Sequence, residues 1–248
     1  MSCDDCISVF LHEGKPSGTF SQIDDIKVYV SKPSDSQSDS QKAILIFPDV
    51  YGVELKNTQL ISDRLAEEVG VTSYLIDYLV DPAPEPGTQP DFSLPDWLKG
   101  HGPELVIPKI EKVINHLKSN GTNQFAAIGF CFGGKYIFRY AQENKIKVGA
   151  VSHPSLLKNP EDIKDLLEKS NVPMLINSCE VDQRFPIDFQ KVTDEILGDG
   201  KYKPGYKRNY YPGATHGFGC RADLSKPSEK EAFDKSFVET VNWFKTHL

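Results

Sequence analysis

A cysteine, an acid and a histidine, three residue types that together can carry out acyl transfer, recur at informative spacing in this chain of 248 residues. Cys131 lies in Gly129-Phe130-Cys131-Phe132-Gly133, after the apolar run Phe125 to Ile128 and before a helical pattern that opens at Gly134. Strand, tight turn and helix in the form G-x-C-x-G make the thiol version of a nucleophile elbow, whose glycines let the backbone pass close to its neighbours. A thiol at that turn sits over a helix N-terminus, where unpaired N–H groups and the helix dipole favour the thiolate, the form that attacks a carbonyl. The competing reading is a structural thiol among aromatics, because free cysteine is among the most buried residue types.

A thiol nucleophile needs a base, and the base needs an orienting acid. The apolar run Pro173 to Ser178 leads into Cys179-Glu180-Val181-Asp182, and a polar, aromatic strand, Tyr206 to Tyr211, leads into Pro212-Gly213-Ala214-Thr215-His216-Gly217-Phe218. Nucleophile, acid and histidine in that order, each just past a strand end, is the order of the α/β-hydrolase fold. Cys131 then reads as nucleophile, His216 as base and later proton donor, and Asp182 as the residue that fixes the imidazole tautomer. Two alternatives stay open: Glu180 as the acid, and Asp182 as a helix cap ahead of Pro186. An oxyanion hole needs one N–H from the residue after the nucleophile and one from the loop after an earlier strand, which selects Phe132 and Val50. Asp49, beside Val50, reads either as a turn residue or as a carboxylate near the thiol. Among the other histidines, His12, His116 and His247 read as solvated, while His101 and His153 fall in loops on the expected site side.

The elements that must position these residues alternate. Ile26 to Val30 has the period of a half-exposed edge strand, and Ala43 to Phe47 is the continuous apolar run of a central parallel strand. Leu60, Leu65, Ala66 and Val69 mark a helix stopped by Gly70, and Val71 to Ile76 gives another strand. Asp77 to Pro95 carries five prolines and reads as an irregular loop of a length that usually serves as a lid or pocket wall. Helical spacing returns over Glu104 to Leu117, Lys135 to Gln142, Asp162 to Glu168, Ile187 to Leu197 and Glu229 to Phe244, and Val148 to Ser152 forms a further strand. This is an α/β pattern: a mostly parallel central sheet with helices on both faces and its site beyond the carboxyl ends of the strands. Residues 1–25 read as an N-terminal arm and 26–248 as a single domain, with Ser31 to Lys42 as a polar surface turn.

A net charge of −7 gives no overall positive field for nucleic acid or an anionic membrane, so a small-molecule substrate is expected. No run approaches the roughly 18 apolar residues of a membrane span, and Met1 to Cys6 has no basic region ahead of an apolar core. Five cysteines, an odd and sparse count, suit a reducing compartment and a cytoplasmic protein. Cys3 and Cys6 form a C-x-x-C without the further ligands of a zinc site, and they read as part of a passive arm. The protein is expected as a monomer or homodimer.

Five motifs in order carry a resemblance: Phe-Pro-Asp-Val-Tyr-Gly at 47–52, Gly-Phe-Cys-Phe-Gly-Gly at 129–134, Ser-His-Pro-Ser at 152–155, Glu-Val-Asp at 180–182 and Ala-Thr-His-Gly-Phe at 214–218. Over residues 43–247 the chain resembles the dienelactone hydrolase, or carboxymethylenebutenolidase, family, and within it the fungal and plant branch. The resemblance implies an α/β-hydrolase fold and a Cys131–His216–Asp182 triad that cleaves a small ester or lactone through an acyl-thiol intermediate, without metal or cofactor. It also implies that Asp49, in the place of a family glutamate, contacts the resting thiol, and that Arg221 stands one residue from the place of an arginine that holds the substrate carboxylate. The family's second arginine has no counterpart here, where Trp97 and His101 flank Lys99. Together with Tyr51, His153 and Phe218 they complete the candidate pocket. A scaffold that binds without turnover remains the rival class.

Overall fold

The computed structural model describes residues 8–34, 39–84, 88–89 and 91–248. Its strands are β1 (Thr19–Ile23), β2 (Ile26–Ser31), β3 (Lys42–Phe47), β4 (Ser73–Ile76), β5 (Gln124–Phe130), β6 (Val148–Ser152), β7 (Met174–Val181) and β8 (Tyr206–Thr215), joined in one sheet of order β1-β2-β4-β3-β5-β6-β7-β8. From β4 to β8 every neighbouring pair is parallel, while β1 and β2 run antiparallel at one margin. The helices are α1 (Lys56–Val69), α2 (Leu94–Lys99), α3 (Pro103–Ser119), α4 (Phe132–Gln142), α5 (Glu161–Lys169), α6 (Ile187–Leu197), α7 (Phe218–Arg221) and α8 (Pro227–His247).

Central strands are apolar on both sides because both sides are covered. In β3, Ala43, Leu45 and Phe47 face the layer that contains Val106, Ile110 and Val113 of α3 and Ile137 of α4. Ile44 and Ile46 face Ile61 and Leu65 of α1 and Phe237 and Val241 of α8. Each such side chain taken fully out of water contributes about 1.5–3 kcal/mol, so the two-sided burial of β3, β5 and β6 fixes both sheet and register. α1 stops where Gly70 adopts the left-handed conformation, φ 78°.

Three expectations need correction. β2 is flanked on both sides rather than being an edge strand, since β1 pairs outside it; β1 exposes four of its five residues, Thr-Phe-Ser-Gln, and so shows no apolar alternation. The proline-rich loop holds a turn of helix, α2, because Pro95 falls in its first turn, where the missing N–H costs nothing, and Ser93 caps it. His12 is buried rather than solvated: its Nε2 lies 3.0 Å from the Ala222 carbonyl, its N–H donates to Asn57 Oδ1 and its ring meets Phe233 edge-on at 4.8 Å. The Cys3/Cys6 pair and part of the Ser31 to Lys42 stretch lie outside the described residues.

Candidate active site

Cys131 follows β5 and precedes α4 with φ 47° and ψ −109°, a conformation that non-glycine residues seldom adopt. The flanking glycines are required by close approach: a Cβ on Gly129 would stand 2.6 Å from the Gly133 carbonyl oxygen, and one on Gly133 would stand 2.3 Å from that of Phe47. The Cys131 N–H donates to the Ser152 carbonyl at 3.2 Å, which ties the turn to the end of β6.

β7 and β8 both run further than the sequence pattern suggests, to Val181 and Thr215, and Asp182 and His216 are the first residues after them. The His216 N–H donates to the Val181 carbonyl at 3.0 Å, and His216 Nδ1 stands 2.9 Å from Asp182 Oδ1. The same carboxylate oxygen accepts the backbone N–H groups of Arg184 and Phe185 at 2.8 and 3.0 Å, which fixes its direction. Of the two acids weighed, Asp182 is therefore the one against the histidine. Glu180 is exposed and accepts the Gly213 N–H at 2.7 Å.

Cys131, His216 and Asp182 are all buried, at 3, 2 and 6 % exposure. Burial pushes the Cys131 thiol up, but the neighbouring His216, followed by the charge of Arg221, brings it below the ordinary thiol value. Burial works against the His216 imidazolium, yet the Asp182 carboxylate and the Cys131 sulfur outweigh it and raise the histidine to about 10. The two groups thus shift in opposite directions, the thiol down and the imidazole up, as expected for neighbours that favour each other's charged forms.

Val50, in the loop after β3, and Phe132, the first residue of α4, are both buried. Tyr78, at the end of β4, holds the two together: its hydroxyl donates to the Pro48 carbonyl, and its ring stacks on Phe132 at 6.0 Å. The Val50 carbonyl in turn accepts the Ala83 N–H at 2.7 Å.

Asp49 lies near the thiol, but its oxygens are engaged elsewhere. Oδ2 pairs with Arg221 Nε at 2.6 Å and accepts the Cys220 thiol at 3.5 Å, and Oδ1 accepts the Tyr51 N–H at 3.0 Å. The neighbour of the Cys131 sulfur is instead Ser155 Oγ, at 3.6 Å. The shorter aspartate side chain and the buried guanidinium beside it account for the difference. Arg221 is buried against Asp49, lies 5.6 Å from the Tyr51 ring and donates through Nη1 to the Ser8 carbonyl. His153, at φ 41°, packs its ring 4.9 Å from that of His216 and 5.4 Å from that of Phe218. His101 stacks on Trp97 at 3.6 Å, with Nδ1 at 2.8 Å from the Trp97 carbonyl and Nε2 at 2.9 Å from that of Asp81, so it staples the 77–101 segment. Trp97 meets Phe132 edge-on at 5.6 Å and lines, on its other side, a pocket of about 360 Å³ with Asp81, Pro82 and Phe92. A wider groove of about 630 Å³ runs between β8 and α8, and it borders none of the candidate residues.

Ser155, Cys220 and Tyr78 escaped the sequence reading as site residues. Ser155 stands in the Ser-His-Pro-Ser motif after β6, and Tyr78 follows β4, so the strand-end rule was the available signal for both; buried Cys220 gave none. Among the described residues no cluster of three or more His, Cys, Asp or Glu side chains is arranged to hold a metal ion.

The sheet order, the elbow and the strand-end constellation define an α/β hydrolase. The model of the dienelactone hydrolase family matches residues 26–248, and the chain belongs to that family; it is a carboxylic ester or lactone hydrolase. It is 33% identical to Hydrolase tropI of Talaromyces stipitatus, over 98% of this chain and 95% of that protein. With the carboxymethylenebutenolidase homolog of Homo sapiens it shares 28% identity over 92% of this chain and 90% of that one. A putative dienelactone hydrolase from Klebsiella pneumoniae superposes with a TM-score of 0.70 at 18% identity, covering 90% of this chain and 93% of that one.

Proposed function

We propose that this chain hydrolyses a small carboxylic ester or lactone with Cys131 as nucleophile, His216 as general base and acid, and Asp182 as the residue that orients the imidazole. The observation that carries the reading is the 2.9 Å contact of Asp182 with a His216 whose charge draws the Cys131 thiol below its ordinary range. The thiolate attacks the acyl carbon, and the carbonyl electron pair moves to an oxyanion met by the Val50 and Phe132 amides. Collapse breaks the bond to the leaving oxygen, which takes the proton of the His216 imidazolium, and leaves a thioester on Cys131. Water then gives a proton to His216 and its oxygen to the acyl carbon, and the thiolate departs. Trp97 and His101 pack against Phe132, the residue after the nucleophile, and these rings suit a small, largely apolar acyl group entering from the side of the 77–101 segment. Cys131 and Cys220 are free thiols, in keeping with a cytoplasmic site of action.

Cys131→Ala tests the reading. Turnover of a p-nitrophenyl ester is expected to fall by about 10³-fold or more, with an unchanged unfolding temperature, and intact-mass measurement during turnover by the parent protein should detect an acyl adduct. Hydrolysis at the parent rate by the alanine variant would refute it.

A further inference from the structure

The end of β6 contributes nothing to the Cys–His–Asp constellation, yet its loop grips residue 131 from both sides. The Ser152 carbonyl accepts the Cys131 N–H at 3.2 Å, and the Ser155 N–H donates to the Cys131 carbonyl at 3.0 Å. These two backbone bonds fix the place of residue 155 relative to the nucleophile, and they leave Ser155 Oγ 3.6 Å from Sγ. Ser155 is 5 % exposed, and among the described residues the sulfur is the hydrogen-bonding partner of its hydroxyl. A buried hydroxyl aimed at one atom is placed by the fold, not by solvent.

We propose that Ser155 is a catalytic residue, whose hydroxyl donates a hydrogen bond to the reacting sulfur, holding the thiolate at rest and receiving it again as the thioester breaks. This rests on Cys131 being the nucleophile.

The direction of the bond follows from the proton inventory. With a thiolate facing the imidazolium, the sulfur only accepts, and Ser155 can only donate to it. With a neutral thiol either group can donate to the other, so ionisation of the sulfur is what fixes the direction. A hydrogen bond to the charged acceptor is the stronger of the two, so the contact favours the thiolate. Acylation places the sulfur electron pair in the C–S bond and weakens the contact. In deacylation water loses a proton to His216 and bonds the acyl carbon through oxygen; the C–S electron pair returns to Sγ, and Ser155 keeps its own proton throughout. The Asp49 carboxylate, turned to Arg221 and Cys220, leaves this place at the sulfur to the serine.

The test compares Ser155→Ala with Ser155→Thr, which keeps the hydroxyl. The titratable and charged groups around the sulfur are His216 after β8, Arg221 and Cys220 on α7, Asp49 after β3 and Tyr78 after β4, with Asp182 and His153 behind the imidazole. All remain in both variants, so a shift between the two reports the hydroxyl. Cys131 alkylation by iodoacetamide is followed by peptide mass spectrometry across pH, together with kcat and KM for a p-nitrophenyl ester. The alanine variant is expected to move the acid limb of alkylation up by about one pH unit and to lower kcat about tenfold with KM nearly unchanged; threonine should restore both. An alanine variant with the parent's alkylation limb and kcat, or a threonine variant whose limb stays with alanine's, would overturn the proposal. The nucleophile reading fails separately, through a Cys131→Ala variant that still turns over.

Discussion

Two buried cysteine–histidine pairs lie side by side in this molecule. Cys131 faces His216, Cys220 stands 3.9 Å from His153 Nε2, and the two imidazole rings are 4.9 Å apart. Each pair has an aspartate, and the residue types are the same, but the aspartates stand at opposite ends. Asp182 lies behind His216, at 2.9 Å, and its charge supports an imidazolium that draws the neighbouring thiol down. Asp49 touches the sulfur of the other pair instead, at 3.5 Å. There burial and the carboxylate push the Cys220 thiol well up, and His153, buried and facing the charges of His216 and Arg221, is held well below the ordinary histidine value. The two pairs hold the same residue types and differ in where the acid stands, and their thiols shift in opposite directions.

The largest break in that contrast is expected from Asp182→Asn. The amide keeps the size of the side chain but removes the charge and favours the wrong tautomer, so His216 loses its support and Cys131 rises toward the Cys220 condition. kcat for a small ester should fall by about 10³–10⁴-fold, the magnitude known for this change in serine triads, with KM little changed. A loss below about tenfold would show that the acid is not what distinguishes the two pairs.

That distinction was legible in the sequence for one pair and not for the other. Cys131, Asp182 and His216 each follow a strand, so their order and the strand-end rule put them at one end of the sheet without knowledge of distance. The parallel sheet was legible for a related reason, because runs such as Ala43 to Phe47 have to be apolar on both faces. β1 was not, since four of its five residues face solvent and it is recruited by pairing with β2 rather than by burial. Asp49 illustrates the limit within the site. Its place in the chain puts it near the thiol, but whether it turns to Cys131 or to Arg221 depends on a contact across 172 residues, which no local pattern encodes. The arm was misread for the same reason: His12 and Ser8 look like a polar terminus until Ala222 and Arg221 are folded against them.

A smaller effect is expected at the second pair, and on stability rather than chemistry. Asp49 and Arg221 are both fully buried, so Asp49→Ala leaves a buried guanidinium without its carboxylate. The cost should be about 3–5 kcal/mol in denaturant unfolding, while the double change Asp49→Leu with Arg221→Met should recover most of it. If the single and double variants unfold alike, the pair is not what holds the 48–52 loop to α7. Loss of Asp49 also removes the carboxylate that raises Cys220, so the alanine variant should make that thiol easier to alkylate.

The smallest expected effect tests the contrast directly in the unaltered chain. Iodoacetamide reacts with the thiolate, so alkylation falls as pH drops through a thiol's own value. Cys131, held below the ordinary range, should stay reactive at neutral pH, whereas Cys220, raised and fully buried, should stay unmodified by peptide mapping until the chain unfolds. Hydrolysis should have an upper limit as well, because the leaving oxygen takes its proton from His216: above about 10 the imidazolium is lost and the rate should decline. Cys220→Ala should leave that whole profile in place and change kcat/KM by less than about threefold, since a small apolar substitute removes little more than a weak S–H donor. Equal labelling of both cysteines in the folded protein at neutral pH would mean that the placement of Asp49 and Asp182 does not set the two thiols apart.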